Sequence, residues 1–203
     1  MTKLEVAPKI PSTITDMSWA FYGCTKLAQA PEIPAGVTDM SSTFSRCTSL
    51  VQAPEIPAGV TDMGSTFYSC DNLVQAPVIP EGVTNMDSTF YDCASLVQAP
   101  VIPAGVTDMT WTFYNCNSLT QAPEIPEGVT DMDGTFAGCT SLIGEVQILS
   151  GLIESMSKCF EGITNNLTVK VPEDSTTYTS IDNLYGETTN IKIETFVLET
   201  TTE

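Results

Sequence analysis

The sequence predicts a repeat solenoid, a stack of about seven 23-residue turns that ends in a strand-containing C-terminal cap. Three observations predict it. One 23-residue unit recurs almost literally through the first two thirds of the chain. Its apolar residues fall into columns one period apart. The pattern then changes to strict alternation near the C-terminus.

Five units repeat in full: Thr15 to Val37, Thr38 to Val60, Thr61 to Val83, Thr84 to Val106 and Thr107 to Val129. A sixth, Thr130 to Leu152, keeps the first half (TDMDGTFAGCTSL) and loses the prolines of the second. A seventh is degenerate: Met156 and Phe160 keep their spacing after a one-residue insertion, and Ile163 takes the cysteine position. At the other end Leu4, Ala7, Pro8, Ile10, Pro11 and Ile14 lie one period before Leu27, Ala30, Pro31, Ile33, Pro34 and Val37. The first turn is therefore half a unit, and its open edge calls for a cover, such as an assembly partner or a second copy.

Within a unit, Met40, Phe44 and Cys47 lie at i, i+4 and i+7, with Leu50 three further on, which predicts a short helical or 3₁₀ segment. Thr38 or Asp39 stands where an N-cap would accept from its free amides. The second half, LVQAPEIPAGV, holds two prolines three residues apart. Proline fixes φ and lacks an amide donor, so this half is extended without forming a long strand. Ala35-Gly36 then turns the chain back toward Val37. In the tail, Asn165 to Pro172 and Asn190 to Glu199 alternate with period two and read as strands. With SIDNLYG between them, they are expected to fold over the last turn. The division is a solenoid over residues 1–163 and a cap over 164–203, within one structural domain.

Composition excludes several functions. The chain has 7 basic and 25 acidic residues, no histidine, and no Lys or Arg between Arg46 and Lys158. Nucleic-acid binding and attraction to an anionic membrane both need clustered cations, which are missing. No apolar run reaches the roughly 18–20 residues of a membrane span. The N-terminal MTKLEVAPKIPSTITDM lacks the apolar core of a secretory signal, so either a signal was trimmed or the chain reaches its destination without one. No histidine, no nucleophile with an evident base and no phosphate-binding glycine loop argue against an enzyme; no cofactor is expected.

The motif V-T-x-M-x-x-x-F-x-x-C-x-x-L appears as Val37-Thr38-Asp39-Met40, Phe44, Cys47 and Leu50, and four more times in full. It resembles the BspA-type leucine-rich repeat surface proteins over about residues 4–172. That resemblance implies a right-handed leucine-rich-repeat-like solenoid, found mainly on bacterial cell surfaces and associated with adhesion, and brings no catalytic residues. The A-P-x-I-P segment departs from the family's leucine stretch, and its recurring prolines work against a continuous β-sheet.

The columns offer the candidate chemistry. Cys24, Cys47, Cys70, Cys93, Cys116 and Cys139, with Cys159 off register, show no C-x-x-C pair. They read as a ladder of buried, reduced thiols rather than metal ligands or disulfides. Asp16, Asp39, Asp62, Asp108 and Asp131, with Asn85 breaking the series, read as caps, since one carboxylate per turn is too few for calcium. The glutamines from Gln29 to Gln121 and the threonines from Thr43 to Thr135 are expected to hydrogen-bond along the axis. Aromatic columns are the candidate partner-binding residues: Tyr22, Tyr68, Tyr91 and Tyr114 follow the core Phe by one residue, and Trp19 and Trp111 share a column whose other members are Ser or Gly. A position that tolerates Ser and Gly reads as surface, and exposed aromatics stack on sugars or anchor a protein. The plainer alternative is that the tyrosines only stack on one another.

The functional expectation is a non-enzymatic binding or adhesion module, extracellular or on a cell surface, with a protein or glycan ligand. The alternative is a structural subunit of a large assembly, a fibre or decoration protein of a phage virion. A third is a spacer whose repeats only set length.

Overall fold

The computed structural model describes residues 4–173, 175–177, 179, 181 and 190–197. The chain coils so that residues 23 apart lie side by side. The amide of Thr38 donates to the Thr15 carbonyl at 2.8 Å, and Thr61 to Thr38, Thr84 to Thr61 and Thr107 to Thr84 repeat the bond at 2.9–3.0 Å. Parallel bridges join Asp16, Asp39, Asp62, Asn85, Asp108, Asp131 and Ser155 in one column, and Gln29, Gln52, Gln75 and Gln98 in another.

The expected helical segment is not a helix. It is a run of overlapping turns: Ala20 donates to Met17 O, Tyr22 to Trp19 O and Cys24 to Phe21 O, each at 3.0–3.1 Å. The intervening amides, Met17, Trp19, Phe21 and Gly23, donate along the axis to Asp39, Ser41, Thr43 and Ser45 of the next coil at 2.8–3.0 Å. What prevents the helix is a left-handed residue at every fourth position, Trp19 (φ 61) and Gly23 (φ 69) in this coil, Ser42 (φ 54) and Arg46 (φ 61) in the next. The amide of each such residue donates to the neighbouring coil, while the amide that follows it closes a turn within its own. Turns that recur every four residues still put Met40, Phe44 and Cys47 on one side, which is why their spacing imitates a helix.

The core is the set of expected columns. Met, Phe, Cys, Leu, Ile and Val of successive units are buried, and Phe44, Phe67, Phe90, Phe113 and Phe136 are fully so. Their rings stack at 5.5–5.9 Å from Phe21 through Phe160 with interplanar angles of 4–7°. All seven cysteines are buried and unpaired. Each thiol from Cys47 to Cys139 donates to the Phe carbonyl of the preceding coil, as Cys93 does to Phe67 O at 3.2 Å. Burial pushes the Cys47 and Cys139 thiols up to about 12, so these groups stay protonated at neutral pH.

The threonine column does bond along the axis, although to methionine carbonyls rather than to its own hydroxyls. The buried Thr89 hydroxyl is shared between Met63 O and Met86 O, both at 2.9 Å, and Thr43 and Thr66 repeat the arrangement. Thr89→Val keeps the shape and removes the donor. It is expected to cost about 1–3 kcal/mol, the range for leaving buried partners unsatisfied. Urea unfolding measures it, and a loss below a few tenths would show that the column contributes by shape alone. The glutamine column, by contrast, is exposed, and Gln29 to Gln98 pair through their backbone; among the described residues its amides make no side-chain hydrogen bond.

Proline decides where the sheet forms. Val37 donates to Pro34 O at 3.0 Å, closing the expected Ala35-Gly36 turn. From Ala30 through Pro103, no A-P-x-I-P segment makes a backbone bond to its neighbour among the described residues. Once Val146 replaces the first proline of that motif, a parallel sheet appears: β1 (Gly144–Gln147), β2 (Leu167–Pro172) and β3 (Ile191–Phe196), in the order β1-β2-β3. Val146 faces Val169, which faces Ile193. The tail strands thus exist, but they continue the stack in register instead of folding across its end. Thr177 ties this region down by donating to Ser150 O at 2.8 Å and accepting from the Ile153 amide at 3.0 Å. Of SIDNLYG only Ile181, which is buried, lies within the described residues.

Candidate functional site

The turn that closes Tyr22 onto Trp19 places the two aromatic columns next to each other, three residues apart on one strip of surface. At one end Trp19 (58% exposed) packs on Tyr22, ring centroids 5.1 Å apart and tilted by 47°. At the other, Trp111 meets Tyr114 at 5.1 Å and 68°. Between them Tyr68, Tyr91 and Tyr114 form a ladder, each ring 4.4 Å from the next. The strip is broken only where Ser45 replaces tyrosine, and there the Arg46 guanidinium lies 5.7 Å above the Tyr22 ring. All six residues singled out in the sequence therefore lie on one strip, in two clusters separated by a single coil.

The reason Ser and Gly share the tryptophan column is conformational. Trp19, Ser42, Ser65, Ser88, Trp111 and Gly134 all have φ between 52° and 61°, a region that small and glycine residues enter most readily. Ser42 and Gly134 are in fact buried, each following a tryptophan by one coil, so tolerance of Ser and Gly did not signal exposure there. A bulky residue with φ > 0 is rare, and this strip holds two.

Carboxylates flank the strip on both sides. Asp39, Asp62 and Asp108 accept the amide two residues on at 2.8 Å, closing the expected caps as side-chain turns. Bonds from the Ser18 hydroxyl and amide likewise hold the Asp16 carboxyl below the usual carboxylate range. Asp87 differs: burial pushes it up, the Asp108 and Asp62 charges add to that, and a bond from Ser88 at 2.9 Å partly offsets both. On the far side burial and the charge of Asp92 raise Asp71. In the ladder, burial and then the adjacent Tyr68 and Tyr114 phenols push the Tyr91 hydroxyl above its ordinary range.

Asp87 carries a pH prediction. A carboxyl raised in the folded state stabilises the fold below its unfolded pKa, and that contribution is lost as pH rises through the folded value. Ionised Asp87 is thus a liability at neutral pH. Asp87→Asn is expected to raise the thermal midpoint at pH 7, with the gain vanishing by about pH 3, below the ordinary Asp value of about 3.9. A gain that persists in acid would assign it to something other than charge.

Sequence reading missed a concavity elsewhere on the coil. The proline segments of the first coils line an open trough of about 1680 Å³, with Ala30, Ala53, Ala76, Pro31, Pro54 and Pro77 among its walls. Its signal was present in the recurring prolines, which leave backbone unpaired and side chains short. Among the described residues no group of three His, Cys, Asp or Glu is placed to hold a metal ion, and no helix is long and apolar enough to cross a membrane.

A family model described as a BspA type leucine-rich repeat region matches residues 6–120 and 110–202, in six copies. The second match runs through β1, β2 and β3, in keeping with a tail that continues the stack. No curated protein and no solved structure matches the chain.

Proposed function

The chain belongs to the BspA-type leucine-rich repeat family, and from that premise we propose that it is a non-catalytic binding module displayed at a cell surface. It holds a protein or glycan partner through the strip formed by Trp19, Tyr22, Tyr68, Tyr91, Trp111 and Tyr114. The coil, read as right-handed with about seven turns, serves as the rigid rod on which that strip is mounted.

One observation carries the reading: two tryptophans occupy left-handed positions on the same strip, one of them 58% exposed. A core or a spacer gains nothing from an indole at a position where serine serves in three other coils. Functional sites are where such unfavourable placements gather. The test is attachment of cells or beads displaying the protein, together with protein and glycan arrays. Trp111→Ala combined with Tyr91→Ala is expected to abolish the interaction that the unmodified protein shows. Arrays without any ligand, and attachment unchanged by the pair of substitutions, would sink the proposal. If deletion of one 23-residue unit leaves function intact while the aromatic substitutions are silent, the repeats act as a spacer. Genes for capsid and tail proteins around this one would favour the virion subunit.

A further inference from the structure

The chemistry of the strip says which class of partner it suits, on the premise that the strip is the binding face. In the tyrosine ladder the rings are stacked face to face at 4.4 Å. The faces between them are therefore spent on one another, and along the ladder a sugar ring finds ring edges and phenol oxygens where it would need a flat face. Trp19, 58% exposed, is the most open aromatic surface of the strip, and Trp111 is half-buried over Gly134. Negative charge lies on both sides of the ladder, and among the described residues no cation is placed to neutralise it. Lys26, Lys170 and Lys192 lie in other columns, paired with Glu5, Glu145 and Glu194. Lys158 stands in the tryptophan column two coils beyond Trp111, and it pairs with Glu161 of its own coil. The chain offers no Lys or Arg between Arg46 and Lys158. Where a cation does reach the ladder column it binds: Arg46 lies over Tyr22 in the coil where Ser45 stands in place of tyrosine.

We propose that the strip receives an extended, arginine-bearing protein segment, whose guanidinium groups donate to the carboxylates of Asp87 and Asp92 and stack on the indoles of Trp19 and Trp111. Arg46 on Tyr22 is the internal example of that contact. Guanidinium is suited to both parts, since its planar fork pairs with carboxylates and its face stacks on aromatics. The dimensions agree. Four coils at about 4.8 Å separate the two tryptophans by roughly 19 Å, the span of about six extended residues.

The chain has only 2 Trp, both on this strip, so their fluorescence reads occupancy directly. The probe is a hexa-arginine peptide, with hexa-lysine, hexa-glutamate and maltohexaose as comparisons. Saturable quenching by hexa-arginine, weaker for hexa-lysine and absent for the other two, is expected. Asp87→Asn with Asp92→Asn should weaken binding about 10-fold or more, the scale of two charge-assisted contacts. Trp19→Ser, which installs the residue found at Ser42, Ser65 and Ser88, should weaken it about 3- to 30-fold. Glu81→Gln with Glu127→Gln removes the same charge from exposed turns elsewhere and should leave affinity unchanged. Equal loss from that pair would reduce the effect to bulk electrostatics and overturn the proposal. So would absence of hexa-arginine binding at low salt. If maltohexaose binds instead and Trp19→Ser abolishes it, this inference fails while the strip stands as the binding face. If the strip substitutions alter no ligand at all, both readings fail.

Discussion

Replacing Phe90 by alanine is expected to cost about 3–5 kcal/mol, and to divide the molecule into two halves that unfold separately. Phe90 is fully buried, with Phe67 and Phe113 stacked on its two faces at 5.7 Å. Neighbouring coils cannot close over the gap, because their spacing is held by backbone bonds such as Phe67 N–H to Thr89 O and Phe90 N–H to Thr112 O, both 2.9 Å. A cavity thus survives, and the cavity part of the cost stays. In a coil stack each unit touches only its neighbours, so cooperativity crosses the middle through this one layer. Trp19 lies on the N-terminal side of Phe90 and Trp111 on the other. Variants keeping one tryptophan each can follow the two halves in urea. Their transitions should coincide in the parent and separate in Phe90→Ala. A loss below about 1 kcal/mol with coincident transitions would mean that the stack collapses around the gap. Phe21→Ala, in the first full coil, should cost less, since the ring has a stacking partner on one side only, Phe44 at 5.5 Å.

Much of this architecture was legible in the sequence because a literal repeat turns every core residue into a column. The Met, Phe, Cys, Leu, Ile and Val columns are the buried ones, and Asp39 and its equivalents cap the turns that follow. Local geometry was less legible. Spacing of four and three residues suits a helix, but it also suits turns interrupted by a left-handed residue every fourth position. The signal that separates them lies in the residues between: Gly23, Asn115, Gly138 and Gly162 share a column, four residues after Trp19, Trp111, Gly134 and Lys158, all with φ > 0. Recurring glycine and asparagine at this second position mark that conformation, whereas helical turns have no use for them. The tail shows the opposite case. Its alternation announced strands correctly, but alternation cannot say whether a strand crosses the end of a stack or joins its side. The offset decides that. Gly144 pairs with Leu167, 23 residues on, which is the repeat length itself.

The site was legible as a set of residues and not as a surface. Column membership put Trp19 and Trp111 together, and the turn from Trp111 to Tyr114 was needed to bring the tryptophan and tyrosine columns side by side. The difference between the two tryptophans could not be read at all without knowing what each one rests on. Trp19 stands over Ser42 and is largely exposed, while Trp111 stands over Gly134 and is half-buried.

That contrast leads to a pair of opposite expected results. A Cβ built on Gly134 would lie 2.6 Å from Cζ3 and 2.8 Å from Cδ2 of Trp111, closer than such atoms approach. The indole therefore occupies the space that glycine leaves free. Gly134→Ser should drive Trp111 outward into the posture of Trp19, red-shifting its emission in a Trp19→Phe background. It should also destabilise the fold by about 1–2 kcal/mol, the scale of losing one half-buried aromatic contact. The backbone is not the cause, because Ser42, Ser65 and Ser88 hold the same conformation with φ 52–54°. The cycle with Trp111→Ser tests this: once the indole is gone, Gly134→Ser should cost less than about 0.5 kcal/mol, so that the two changes couple strongly. The converse substitution, Ser42→Gly, should let Trp19 settle inward and shift its emission to the blue. Independent, additive effects at 111 and 134 would show that the glycine serves the turn and not the indole. If the cycle does couple, the sequence of one coil sets how far the aromatic residue of the preceding coil projects, and the height of the strip is tuned from one coil beyond it.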